Sequence, residues 1–322
     1  MNRELSDEAS ELGEVVRDAL RDVGGVNLLR RAALDPSVRA EVRDVLDPIG
    51  VWELSPASDQ LEFELAAAVS RAAGAFGTPY PVVERLGRVG EADATVLTST
   101  NAPRTGMHLD LPLSWTAIDL RGTGYRAAGR GPLLRTQLAP FGVEFDAIPN
   151  GSIDQRGAAT LLVLQAWWLL GLIDDAHNDT VQYAREREQF GRTIAHFQAV
   201  GFMLADALLA VRSFEELAKY TLWSVANSMD ASHALTDAIA LRVAGLDAAE
   251  FVMRTAHQLH GAMGFTDEVD LSWLSKASQG PRRLPEGRHA TEAALLERMG
   301  RDGLHTFGRV RAISEAQAPA QR

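Results

Sequence analysis

Cysteine is absent from this chain. Disulfides, thiolate nucleophiles and thiolate metal sites are therefore excluded. Lysine is confined to Lys219 and Lys276 while arginine is abundant, a bias we read as genome composition rather than function. Positive charge is in deficit: the formal net charge is -11. Such a surface repels nucleic acid and anionic membrane, so neither is expected as a partner, and an anionic ligand would need local basic groups to offset the field. Plain solubility accounts for the charge equally well. Long apolar runs are also missing. The longest, Ala166 to Ile173, falls far short of the ~20 residues that span a bilayer. The first twenty residues are acidic and amphipathic, without the apolar core of a signal peptide. The expected location is the cytoplasm.

What is present is an ordinary globular composition. With 46% hydrophobic and 23% charged residues in 322, there is enough apolar mass for a sizeable core in two or three domains, or one large helical one. Residues 7–47 carry helical spacing: Leu12, Val15, Val16 and Leu20 form one stripe, and Val42, Val45 and Leu46 another, broken by Pro48 and Gly50. Residues 59–76 repeat Leu61, Leu65, Ala68, Val69 and Ala72 at three and four. Between 88 and 149 scattered Gly and Pro separate short β-prone runs at Ala94 to Leu97, Trp115 to Leu120 and Val143 to Ile148. Beyond Ser152 helical periodicity returns over 153–186, 192–227, 231–260 and roughly 288–300. The expected fold is mainly α with a small β domain: an N-terminal helical domain over 1–87, a reduced middle β domain over 88–150 and a C-terminal four-helix bundle over 151–322.

Two segments carry more than periodicity. YAREREQFGRTIAHFQ, residues 183–198, resembles a signature of the acyl-CoA dehydrogenase family: Tyr-Ala, then Arg-x-x-Phe-Gly, an aliphatic residue and Gln. QLHGAMGFTDE, residues 258–268, resembles that family's Gln-x-x-Gly-Gly-x-Gly-Phe-x-x-Glu. The pair, in the family's order and at its separation, is a stronger signal than either alone. Residues 41–85 also look like the family's N-terminal helical domain. The resemblance implies the family's fold and FAD as cofactor, with the ADP half crossing to a neighbouring subunit. It matches Arg187 to an arginine that meets the diphosphate, where a guanidinium fork suits phosphate oxygens. Phe190 matches an aromatic beside the adenine, and Gln198 a glutamine that donates near the diphosphate. Gln258 and Gly261 match a segment where bare backbone approaches the cofactor, and Thr266 and Glu268 the adenosine end. Read without the motif, an arginine in Arg-Glu-Arg-Glu is a solvated charge and Gln198 a surface amide. Trp167 and Trp168 are core or subunit-interface aromatics, His260 a packed or exposed histidine. His257 and His260 have no third ligand at a recognisable spacing, so no metal is expected.

The family's reaction is α,β-desaturation of an acyl-CoA thioester, in which a glutamate in an apolar pocket takes the α-proton. One family position for that base falls here at about Leu161, with Asp154 two turns away; the other is a Tyr-Glu-Gly-Thr motif, matched only by Pro285-Glu286-Gly287-Arg288. Glu286 is thus the one candidate base, and also a residue type common at helix starts. The family's Gly-Ser-Asp type loop of the β domain is not found; Thr98, Ser99 and Thr100 stand where a flavin edge would lie and Trp115 where one would be covered, but such hydroxyls are ordinary strand formers and are not assigned to the site, and Ala262 replaces the second Gly of Gly-Gly, where its methyl would crowd the diphosphate. Together these departures resemble the short partner subunits of heteromeric acyl-CoA dehydrogenases of bacterial sterol side-chain degradation. The resemblance implies a second subunit, in a heterotetramer, that supplies the catalytic Glu, and electron-transferring flavoprotein as acceptor. The alternatives are a self-sufficient homo-oligomer using Glu286, a non-catalytic structural subunit, and a flavin oxidase or monooxygenase of the same fold.

Overall fold

The computed structural model describes residues 4–134 and 140–302. Helix α1 (Asp7–Asp22) starts at Ser6, whose hydroxyl accepts from the Ala9 N–H, and carries Asp7 and Glu8 in its first turn, where the helix dipole favours negative charge. It stops at Gly24 and Gly25, both at positive φ, so the helical stretch expected over 7–47 is divided: α2 (Val26–Leu34) and α3 (Ala40–Leu46) follow as separate pieces. Helix α4 (Gln60–Ala75) is capped by Asp59, which accepts from the Glu62 N–H at 3.0 Å, and buries Phe63, Val69 and a run of alanines. The short α5 (Val82–Leu86) closes this part of the chain.

The middle segment folds as a four-stranded sheet in the order β1 (Ala94–Leu97), β3 (Trp115–Ile118), β4 (Thr123–Ala128), β6 (Asp146–Ile153), with β1 and β3 parallel and the other pairs antiparallel. A second pair is β2 (Thr105–Met107) with β5 (Gly142–Glu144). The run from Val143 to Ile148, expected as a single strand, is cut at Phe145: Val143 pairs in one sheet and Ala147 in the other. Phe145 faces inward at the break, joining Ala94, Val96, Leu109, Trp115, Ala117, Tyr125 and Val143 in a small β core.

Helices α6 (Gln155–Glu186), α7 (Gln198–Asn227), α8 (Ala231–His260), α9 (Asp270–Arg283) and α10 (Arg288–Asp302) complete the chain. A hairpin of β7 (Glu188–Gln189) and β8 (Arg192–Thr193) joins α6 to α7, so α7 begins later than the periodicity predicts. Helix α9 is absent from the sequence expectation because Gly280 and Pro281 read as breakers. The helix tolerates both. Pro281 lies in its last turn, and a Cβ on Gly280 would fall 2.7 Å from Met107, so the glycine serves packing against β2. Helix α6, 32 residues long, is apolar enough by length and composition to cross a membrane, but 83% of its apolar window is buried in this fold.

One continuous apolar core links α1–α6 with the bundle. Its tightest point is the crossing of α4 and α6. A Cβ on Gly74 would stand 1.8 Å from the Trp168 carbonyl oxygen, and one on Gly171 2.0 Å from that of Arg71. The helices therefore touch backbone to backbone. Beside the crossing, Arg71 of α4 bridges Asp174 of α6 at 3.0 Å and Glu215 of α7 at 2.7 Å, which fixes the rotation of three helices about one guanidinium.

Candidate functional site

Helices α6 and α8 run parallel, so the two sequence motifs, one at the C-terminus of each, arrive at the same end of the bundle. The join is direct. The Tyr183 ring stacks on His260 at 4.1 Å between centroids, and the Tyr183 hydroxyl donates to the His260 carbonyl at 3.5 Å. Arg187 ends α6 in an extended conformation. Its N–H donates to the Tyr183 carbonyl and its carbonyl accepts from the Ile194 N–H, both at 2.8 Å. That pair closes the β7–β8 hairpin, whose tip is Phe190 at φ 54° and Gly191 at φ 77°. Phe190 is 92% exposed, meeting only the edge of Phe197 at 6.2 Å. Gln198 opens α7 and Gln258 lies in the last turn of α8.

Gly261 terminates α8 at φ 58°, with open space where a Cβ would stand. Its identity answers to the backbone conformation. Ala262 is exposed. The Thr266 hydroxyl donates to the Met263 carbonyl at 2.9 Å, and the carbonyl of the exposed Glu268 accepts from Arg30 at 3.4 Å. Phe265, 72% exposed, stacks on His257 at 4.6 Å. Both histidines are occupied within the fold: the His257 Nε2 meets the Ser275 hydroxyl at 3.0 Å and the His260 Nδ1 the Ala256 carbonyl at 2.9 Å. Burial holds both below the usual imidazole range. No cluster of three metal-ligating side chains occurs among the described residues. By contrast, the side chains of Arg187, Gln198 and Gln258 are exposed and carry no hydrogen bond among the described residues. This end of the bundle thus presents the Arg187 guanidinium, the Gln198 and Gln258 amides and the exposed Phe190 ring, none hydrogen-bonded within the described residues.

The second place of interest is the junction of the bundle with the sheet. The face of α6 around Leu161 is fully buried and apolar, and Asp154 is the helix N-cap, accepting from the Gly157 N–H at 2.8 Å. No carboxylate replaces a base there. Glu286, on the loop between α9 and α10, reaches the end of β1. Its Oε1 accepts from the Ser99 hydroxyl at 2.9 Å and from the Thr100 N–H at 2.8 Å. It borders a cavity of about 180 Å³ shared with Asn101 and Arg121. Thr98 donates to the Thr105 carbonyl at 3.3 Å, and Trp115 lies inside the β core. The Thr98 and Ser99 hydroxyls are thus bonded within the fold, while Thr100 contributes its N–H.

Sequence reading missed the residue that holds this junction. Arg242 of α8 is buried, with Nη1 on Gln165 Oε1 at 2.5 Å and the Pro281 carbonyl at 3.1 Å, and Nη2 on the Glu286 carbonyl at 2.6 Å. Burial pulls it down to about 9, partly countered by the negative charge of Glu286, so it remains a cation at pH 7. The available signal was its position among Ala238, Ile239, Leu241, Gly245 and Ala249 on the buried face of α8, where an arginine needs partners.

Against known proteins, residues 163–298 match the model of the acyl-CoA dehydrogenase C-terminal domain. A 3-sulfinopropanoyl-CoA desulfinase of Paraburkholderia xenovorans is 34% identical over 128 residues, 39% of this chain and 30% of the relative. The chain thus covers under a third of that protein's length. Among solved structures, the ChsE4-ChsE5 complex from Mycobacterium tuberculosis aligns over 99% of this chain and 100% of its own with a TM-score of 0.72 at 18% identity. The Tcur3481-Tcur3483 steroid ACAD aligns over 92% and 99% with a TM-score of 0.73 at 16% identity.

Proposed function

We propose that this chain, whose residues 163–298 match the acyl-CoA dehydrogenase C-terminal domain, is one subunit of a flavin-dependent acyl-CoA dehydrogenase, completing an FAD site at a subunit boundary. The observation that carries the reading is the end of the bundle where the two motifs meet: Arg187 just past α6, Gln198 at the start of α7 and Gln258 in the last turn of α8 all lie at that end, exposed and without side-chain hydrogen bonds. A guanidinium and two amide donors fit a doubly charged diphosphate, and the exposed Phe190 offers a face for a purine. When bound, FAD supplies the two-electron acceptor for the desaturation of an acyl-CoA thioester. What this chain's own residues do is hold it: Arg187 and Gln198 at the diphosphate, Gln258 and Gly261 along it, Phe190, Thr266 and Glu268 toward the adenosine.

The proton acceptor is assigned to a partner subunit of the same family. Support comes from Leu161 standing at one family position for the base and from Glu286, at the other, already accepting two hydrogen bonds at the end of β1. The two solved structures described as a ChsE4-ChsE5 complex and a steroid ACAD favour a heteromer acting on a sterol-derived acyl-CoA, with electron-transferring flavoprotein as the acceptor. A second reading, a self-sufficient homo-oligomer, rests on the placement of Glu286 where helices and sheet meet. Expression alone and with a candidate partner separates the two. We expect a colourless chain alone and a yellow, active complex. In that complex Arg187→Ala should weaken FAD at least about tenfold, the scale of one charge-assisted hydrogen bond, with unchanged folding. An active yellow homo-oligomer that is silenced by Glu286→Gln would establish the second reading, and retention of full FAD affinity by Arg187→Ala in the complex would defeat the first.

A further inference from the structure

A cleft between α5, β2, α6 and α9 stands apart from the flavin end of the bundle. Counting the open space at its mouth it measures about 510 Å³. Its walls are mainly apolar, with Pro79, Val83, Met107, Phe141, Trp168 and Pro281 among them. Five polar side chains line it, and three are occupied within the fold. The Thr78 hydroxyl donates to the Ala73 carbonyl, the Tyr80 hydroxyl accepts from Arg85, and the Gln165 amide is shared between the Leu284 carbonyl and Arg242.

Of the other two, His108 has no hydrogen-bond partner for its side chain among the described residues, while the half-buried Glu84 carboxyl meets only its own backbone N–H. His108 is 7% exposed and its Nδ1 is buried without a hydrogen bond. It is held at φ 62°, a region that non-glycine residues rarely occupy and that clusters at functional sites. Its ring is stacked on Phe141 at 5.5 Å. Burial pushes the Glu84 carboxyl up to about 7 and keeps His108 neutral, the latter aided by the charge of Arg39. A neutral imidazole offers one donor and one acceptor, and a carboxyl that shares its proton near neutrality offers either. Unmade, such bonds are costly in an apolar cleft.

We propose that this cleft binds a neutral, mainly apolar molecule or moiety through a single hydroxyl or ketone, with Glu84 and His108 as its two hydrogen-bonding groups. The lining suits that class: two polar groups stand among apolar walls that would face the rest of such a molecule. A carboxylate would meet the ionising Glu84, and a fixed cation would find no fixed anion. This inference goes beyond the flavin reading. Arg187 is nineteen residues past Trp168 on α6, about 28 Å along the axis.

The test uses the full chain with isotope-labelled histidine, the His108 ring resonances being assigned with His108→Gln. Titrations with cyclohexanol, methylcyclohexane and cyclohexylamine are followed at those resonances. The expected result is a dissociation constant for cyclohexanol at least about tenfold below that for methylcyclohexane, with cyclohexylamine no better than the hydrocarbon. Glu84→Leu should erase the preference and Glu84→Gln retain most of it, with circular dichroism confirming both folds. Equal affinity for alcohol and hydrocarbon, preference for the amine, no binding of any probe, or a preference that survives Glu84→Leu would each overturn the proposal. FAD binding by the same samples in the partnered complex reports on the flavin reading separately.

Discussion

Replacing Arg242 by methionine removes the cation that joins α8 to Gln165, Pro281 and Glu286. The magnitude follows from two opposing quantities. The three hydrogen bonds are charge-assisted, each contributing about 1.5–3 kcal/mol. Against them stands the cost of keeping the guanidinium dry: its fall to about 9 corresponds to about 5 kcal/mol disfavouring the charged form. Methionine fills a similar volume and escapes that cost, but leaves two backbone carbonyls and the Gln165 oxygen without their donor. The net loss expected is about 2–4 kcal/mol, the direction typical when one member of a buried polar network is deleted. In urea, with a slope of about 3 kcal/mol/M for a chain of this size, the unfolding midpoint should fall by roughly 1 M. A double-mutant cycle with Gln165→Leu should return a coupling of at least about 0.5 kcal/mol, because the two side chains share a bond. An unchanged midpoint, or strict additivity in the cycle, would mean that Arg242 does not organise the junction as described.

The crossing of α4 and α6 leaves no room for a methyl group, so Gly171→Ala should destabilise by about 3 kcal/mol or more, while Gly191→Ala, with open space around it, pays only the strain of its positive φ; thermal unfolding of the two variants gives the comparison. Glu84 makes stability depend on pH. Its carboxyl is raised in the folded state from 4.5 to about 7, so the folded chain binds the proton more tightly, and the resulting stabilisation is complete below about 4.5 and lost as pH rises through 7. Relative to Glu84→Gln, the wild type should lose about 2–3 kcal/mol between pH 4 and pH 8, and a difference that stays flat across that range would remove the carboxyl from its dry surroundings.

Much of the fold is legible in the chain because local chemistry and burial agree. Asp59 stands just ahead of an apolar repeat and caps α4, and Ser6 does the same for α1. The runs at Ala94 to Leu97 and from Trp115 become strands because their β-prone side chains also find a common core. Legibility ends where a residue's local preference is overruled by its neighbours. Gly280 and Pro281 look like a stop, yet α9 runs on to Arg283 with Pro281 in its last turn and Gly280 against the Met107 side chain. The division of the Val143–Ile148 run likewise depends on two different sheets competing for adjacent residues.

By itself, then, the sequence determined the order of helical and β segments and the two motifs that resemble acyl-CoA dehydrogenase signatures, because periodicity, caps and signature residues are properties of neighbours along the chain. Only the folded chain decided that those motifs meet at one end of the bundle. The parallel course of α6 and α8 brings Tyr183 onto His260 across 77 positions, a contact no local pattern encodes. The buried Arg242 and His108 and the half-buried Glu84 were settled in the same way, since whether a charge is solvated or enclosed depends on which distant helices close over it.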